Sequence, residues 1–310
     1  MYNHDADNFK IDLVYTWCDG TDPKFQAKKA KAAGKSYDSS AEINGQHHIM
    51  QADELMYSLR SVEKNMPWIN RIFIIVDDQV PSFLDTKNQQ ITIVDLKDIF
   101  PKDALPNFNT NAIETVMGKI KGLSEHFILA SDDMMVNKPV NKAYFYTEDK
   151  KPIIHVANKK FGDDWYNLIT FICNAEINQK PVYPCIQDLH NMTPHVKSDY
   201  NNVIEHSKYK RVFENTIYSQ FRSYFNIQRI LIYLILEKEN KVTFKYLGNS
   251  NGIKRLKDQM YVENNSKWLL SIFKPYLFCI NASKKQTQRQ IHAIKKFLNK
   301  KFNVKSIFEK

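Results

Sequence analysis

Phe127-Ile-Leu-Ala-Ser-Asp-Asp133 decides the fold: an apolar run leads without a break into two adjacent acids. A short continuous apolar run suits a strand buried on both faces, as in a parallel sheet covered by helices. Working outward, Arg71-Ile-Phe-Ile-Ile-Val76, Ile91-Thr-Ile-Val94 and Ile11-Asp-Leu-Val-Tyr15 read the same way. Helical spacing fills the intervals. Leu55, Leu59 and Val62 share one face over Asp53 to Lys64, and Ile113, Val116, Met117 and Ile120 do so over Asn111 to Ile120. Asn111 and Glu114 have the spacing of a capping-box relative. This alternation predicts an α/β fold, a mostly parallel sheet flanked by helices, with a helical C-terminal part.

The remaining stretches are less periodic. Lys24 to His48 is polar and Lys-rich, which predicts a loop or lid over about 24–48. Thr216 to Glu237 reads as one long helix. Lys284 to Lys301 carries seven Lys or Arg and no acid, with Ile291, Ile294, Leu298 and Phe302 spaced as a stripe. The expected organisation is a catalytic domain over 1–283 and a basic amphipathic tail over 284–310. Such a tail either packs its stripe on the domain or lies on an acidic membrane surface.

A net charge of +10 favours anionic partners without choosing among them. Cys18, Cys173, Cys185 and Cys279 form no CxxC pair, so neither a zinc site nor a disulfide framework is signalled. The polar first ten residues lack a signal-peptide core, and the longest apolar run, near Ile230 to Leu236, is too short to span a bilayer. A cytoplasmic protein is expected, peripheral on the inner membrane face if the tail binds there. No GxxxxGK[ST], GxGxxG or GxSxG occurs, which disfavours a P-loop nucleotidase, a dinucleotide dehydrogenase and an α/β-hydrolase.

Ligands of open parallel sheets bind beyond the carboxyl ends of the strands. Acids follow three of the predicted strands: Asp19 and Asp22, Asp77 and Asp78, and Asp132 and Asp133. Beside a pyrophosphate an acid pair is useful through a divalent cation, although acids at strand ends also serve as caps. His190, Lys197 and Arg222 are candidates for a base and for phosphate-binding cations, although from the residues alone a structural role is the commoner outcome.

Several segments together resemble the Stealth family of sugar-phosphate transferases. Ile11-Asp-Leu-Val-Tyr-Thr-Trp-Cys-Asp-Gly-Thr-Asp-Pro23 is similar to its first block, with Cys18 in place of the usual Val. Asp53-Glu-Leu-Met-Tyr-Ser-Leu-Arg-Ser-Val-Glu-Lys-Asn65, Leu105-Pro-Asn-Phe-Asn-Thr-Asn-Ala-Ile-Glu114 and the stretch from Leu123 to Val140 resemble the second. His190-Asn-Met-Thr-Pro194 with Lys197, and Phe221-Arg-Ser223, resemble the third more loosely. Phe278-Cys-Ile-Asn281 resembles the fourth, with Ala282 where the family has Asp.

The resemblance implies a Rossmann-like nucleotide-binding core. It also implies transfer of a sugar 1-phosphate from a UDP-sugar, such as a UDP-N-acetylhexosamine, to an oligosaccharide or polysaccharide hydroxyl, with UMP leaving. Mapped onto this chain, it gives Asp19, His190 and Arg222 as the catalytic set. Asp132 and Asp133 would hold Mg²⁺, with Mn²⁺ as the alternative. Arg60, Asn109, Asn111 and Lys197 would bind nucleotide or sugar. For Asn111, a side-chain amide near a helix start suits phosphate. Trp17, Asp53, Glu54, Trp68 and Glu114 stay unassigned. The competing readings are a Leloir glycosyltransferase that releases UDP, and a non-catalytic polyanion-binding protein. Nucleic acid is not expected as a partner, because the basic residues are not interleaved with aromatics on one strand face.

Overall fold

A computed structural model describes residues 9–34, 53–159, 165–189, 192–223, 226, 229–249, 252–263, 265–280 and 287–310. The central sheet joins β1 (Ile11–Thr16), β2 (Ile72–Val76), β3 (Ile91–Asp95), β4 (His126–Ser131) and β8 (Thr193–Val196), in the order β3-β2-β1-β4-β8. Its first four strands are parallel, and only β8 runs the other way. Strand alternation separates two cores. Val14, Phe73, Ile75, Phe127 and Leu129 face one, whereas Ile11, Leu13, Tyr15, Ile72, Ile74, Ile128 and Ala130 face the other.

The first core is closed by α4 (Thr110–Val116), α6 (Lys197–His206), α7 (Lys210–Ile217) and α8 (Arg229–Lys238). The second is closed by α2 (Glu54–Asn65), through the predicted Leu55, Leu59 and Val62. A polar stripe on α2 does a separate job. Ser58 Oγ donates to the Met134 carbonyl at 2.5 Å, Val136 N donates to Ser61 Oγ at 2.9 Å, and Asn65 Nδ2 donates to the Val136 carbonyl at 2.8 Å. These bonds satisfy one edge of β5 (Met134–Val136), whose other edge pairs with β11 (Leu277–Ile280). Asp132 and Asp133 are thus the two-residue link between a strand of the central sheet and a strand held by α2 and β11.

The second half adds more strand than its sequence suggests. β10 (Gln259–Val262) completes a three-stranded sheet, β10-β11-β5. β7 (Cys185–Asp188), β6 (Ile153–Lys159) and β9 (Thr243–Asn249) form another. Two expectations need correction. Residues 24–33 of the predicted lid belong to a helix, α1 (Pro23–Ala33), which Asp22 caps by accepting from Lys24 N; 35–48 lie outside the described residues. The helix expected from Thr216 to Glu237 is two, because the chain between α7 and α8 turns away to meet the loop before α4.

The basic tail forms α11 (Gln288–Lys301), opened by a capping box between Thr287 and Gln290. Its stripe of Ile291, Ile294, Leu298 and Phe302 is buried with Met135, Met260 and Phe278. An interfacial helix must insert such a stripe, so only charge is left for a membrane surface. No helix among the described residues is long and apolar enough to cross a membrane. Leu298 is fully buried in this cluster, and Leu298→Ala should cost about 2–5 kcal/mol in urea unfolding. Exposed Lys296→Ala should stay within about 0.5 kcal/mol of the parent.

Candidate functional site

β1 and β4 pair with Thr16 opposite Ser131, so Trp17-Cys18-Asp19 and Asp132-Asp133 leave the same sheet edge side by side. The partly exposed Cys18 thiol marks where they meet. Burial first, then the Asp132 carboxylate, push it up to about 12, while Arg222 and Lys29 pull it down and Asp19 adds a further rise. Two acids and two cations therefore lie within electrostatic reach of one sulfur. Of the expected site residues, Asp19, Asp132 and Arg222 are brought together here, with Asp133 alongside.

The acid pair is placed against its own ionisation. Burial raises the Asp132 carboxyl well above the usual carboxylate range, and the charges of Asp133 and Glu54 raise it further. Asp133 is raised by burial and drawn partly back by the Cys279 thiol, whose Sγ donates to Oδ2 at 2.9 Å. Neither acid has an ion-pair partner among the described residues. Those residues contain no group of three or more His, Cys, Asp or Glu placed to hold a metal. Mg²⁺ needs only one or two carboxylates when phosphate oxygens and water complete its shell. Desolvated, adjacent and mutually repelling acids fit that demand.

Arg222 is held by a frame. Its guanidinium donates to Thr110 Oγ1 at the start of α4. The segment before α4 grips the Arg222 loop: Phe108 N donates to the Gln220 carbonyl at 2.7 Å, and Asn107 Nδ2 to the Ile217 carbonyl at 3.1 Å. Asn109 Nδ2 reaches the Ser219 carbonyl at 3.1 Å and Asn226 Oδ1 at 3.0 Å. The Phe108 and Phe221 rings stack at 5.4 Å, and Phe25 of α1 meets Phe108 edge-on at 5.5 Å. Behind this frame, buried Arg229 donates to Asp188 at 2.9 Å and to Glu114 at 3.0 Å. Burial lowers the Arg222 guanidinium, and Glu114 opposes that. Asp188, Arg229, Glu114 and Arg222 thus form a chain of alternating charge that ends at the site.

Other expected site residues are employed elsewhere. Asn109 is fully buried; it caps α4 and grips the Arg222 loop, so both ends of its amide have protein partners. Arg60 makes a bidentate pair with Glu309, at 2.8 and 2.7 Å, and donates to the Phe302 carbonyl, which spends its fork on the C-terminal segment. Lys197 donates to the Leu123 carbonyl at 2.8 Å. It follows Val196, which pairs with His126, so it sits at the amino edge of the parallel strands, opposite the acids. Asp19 keeps its place, although Oδ1 accepts from the Thr21 amide and hydroxyl. Asn111 also stays available, since its buried Nδ2 has no partner among the described residues. His190 and Ala282 lie outside the described residues.

Glu54, Glu114, Asp188, Arg229, Cys279 and Lys29 were not singled out for the site by sequence. Local spacing gives no sign of partners that stand 41, 115 and 146 positions apart, as Asp188 and Glu114 are from Arg229, and Cys279 from Asp133. Lys29 was hidden inside the expected lid.

Residues 9–37 match Stealth protein CR1, conserved region 1, and residues 48–154 match Stealth protein CR2, conserved region 2. The receptor polysaccharide phosphotransferase WefC of Streptococcus oralis is 40% identical over 165 residues, 53% of this chain and 50% of that protein. The capsular polysaccharide phosphotransferase WcwK of Streptococcus pneumoniae is 37% identical over the same shares. The chain spans about half the length of these curated relatives. The capsular polysaccharide phosphotransferase fcs1 of Haemophilus influenzae is 28% identical over 91% of this chain and 80% of its own. Among solved structures, the galactosyltransferase LgtC with donor and acceptor sugar analogs overlays 94% of this chain and 95% of its own, at 10% identity and a TM-score of 0.44. An overlay this loose carries no inference about chemistry.

Two consequences of the site's electrostatics are measurable. A carboxyl whose folded pKa is raised destabilises the fold increasingly as pH climbs from the ordinary carboxylate range to the raised value. In EDTA, Asp132→Asn should therefore melt higher than the parent at pH 8, with the gain vanishing near pH 3; equal melting at pH 8 would count against the buried acid. Arg229→Met removes the cation shared by two buried acids and should cost about 3–5 kcal/mol in chemical denaturation.

Proposed function

We propose that this chain, which carries conserved regions 1 and 2 of the Stealth proteins, transfers a sugar 1-phosphate from a UDP-sugar to a carbohydrate hydroxyl. UMP is released, and the phosphodiester extends a capsular or other surface polysaccharide in the cytoplasm. The relatives named as polysaccharide phosphotransferases support this reading. One observation carries it: Asp132, Asp19 and a braced Arg222 converge on Cys18 at the carboxyl edge of a parallel sheet. That edge is where open α/β sheets bind ligands.

The acceptor oxygen attacks the phosphorus nearer the sugar and forms the new P–O bond. The bond from that phosphorus to the bridging oxygen breaks, and its electron pair leaves with UMP. The acceptor proton passes to His190 or to Asp19, whose Oδ1 is already tied to Thr21. Phosphoryl transfer is mostly positioning and charge stabilisation, so Arg222 matters for its planar fork and its low solvation. The Asn111 amide, whose Nδ2 has no partner among the described residues, would donate to a phosphate or sugar oxygen. Asp132 and Asp133 would hold Mg²⁺ or Mn²⁺, which when bound neutralises charge on the diphosphate. A UDP-N-acetylhexosamine donor and an oligosaccharide acceptor complete the reading.

A Leloir glycosyltransferase would use the same edge, but its acceptor attacks the anomeric carbon and UDP leaves. Product analysis separates the two. Protein with UDP-N-acetylhexosamine, Mg²⁺ and an oligosaccharide should release UMP, and release of UDP alone would overturn the reading. Arg222→Met should lower kcat/KM by about 10²–10³, and Arg222→Lys should recover little of it.

A further inference from the structure

Helix α1 is studded with lysines, and one of them is on the wrong side. Phe25 and Ala33 are its buried residues, and Lys29 lies midway between them at i+4 from each. Residues spaced by four share a helix face. Lys24, Lys28 and Lys31 are exposed, whereas Lys29 is partly buried. A lysine on the packed face of a short helix needs a reason, because an ammonium is costly to desolvate.

What that face packs against supplies one. Phe25 meets Phe108, Phe108 stacks on Phe221, and Phe221 precedes Arg222. Lys29 is one helical turn, about 6 Å, beyond Phe25 along the same face. Lys28 is tied to Asp77 after β2, and Asp22 at the start of α1 accepts from Gln79 Nε2 at 3.0 Å. The helix is therefore anchored to the sheet edge at its first turn and at its middle. Lys29 is also one of the two cations within electrostatic reach of the Cys18 thiol, Arg222 being the other.

We infer that Lys29 binds the diphosphate of the nucleotide-sugar, as a second cation working with Arg222. The inference rests on the reading of a nucleotide-sugar donor and adds a residue to it. A diphosphate presents two phosphate groups, and one planar arginine fork engages one of them bidentately. An ammonium on a flexible stem suits the second as a point charge. Asp132 and Asp133 leave the neighbouring strand at the same sheet edge, so acids that would hold a divalent cation and the two basic side chains share one end of the sheet.

The test measures UDP binding calorimetrically, without turnover. Lys29→Met should weaken UDP about tenfold, Lys29→Arg should recover most of that, and Lys31→Met on the exposed face should stay within twofold. As a check in the unaltered protein, UDP should slow reductive methylation of Lys29 and leave Lys31 unaffected. Parent-like UDP affinity in Lys29→Met, or equal methylation of Lys29 with and without UDP, overturns the inference while the donor reading stands. An unaltered protein that binds no UDP overturns both.

Discussion

The parallel pairing of β1 with β4 is the constraint on which the rest depends. Its register sets Thr16 against Ser131, and the two chains leave the sheet together, one through Cys18 and Asp19 and the other through Asp132 and Asp133. Side chains alternate faces along a strand, so a slip of one residue would exchange Leu13 with Val14 and Ile128 with Leu129 between two separate cores. Both cores therefore guard the register, and the register guards the site. The other end of the acid link is equally fixed, because β5 has one edge in β11 and the other on Ser58, Ser61 and Asn65 of α2. The two mutually repelling acids are therefore carried on a link whose two ends are both tied into strands.

Much of the central sheet was legible because buried parallel strands write themselves as unbroken apolar runs. The acids at its edge were legible for the same reason, since each follows such a run. Helix α1 was not: it buries only Phe25 and Ala33, too little to mark a period among its lysines. The break between α7 and α8 was hidden as well. Its cause is the grip of Asn107, Phe108 and Asn109 on residues 217–226, and such contacts over more than a hundred positions leave no local trace. Resemblance pointed to Arg222, Asn109, Arg60 and Lys197 alike, and the fold gives the last three structural partners that no local pattern announces. Each stands in or beside a matched stretch, yet their donors meet Ser219, Glu309 and Leu123.

Arg222 shows how a largely desolvated cation is held without a direct ion pair among the described residues. A lone guanidinium at that depth would be costly, and a single acid beside it would hold it too firmly. The chain through Glu114, Arg229 and Asp188 avoids both. Glu114 is close enough to favour the charge on Arg222, while its hydrogen bond goes to Arg229. The fork is thus left bonded to the neutral Thr110 hydroxyl, a weaker partner than a carboxylate would be.

The clasp between Arg60 and Glu309 spans 249 positions. Helix α2 is made well before its partners, since Tyr57 shares its cluster with α11 and the Arg60 fork meets Glu309. At about 5–20 residues per second, α2 stays uncovered on that side for roughly 10–50 s after it is made. The acid link leans on one face of α2, and another side of that helix is covered only once α11 has docked. Tyr57 stays exposed through that interval, and Met135 and Phe278 join it as they are made, forming an apolar surface that α11 later covers.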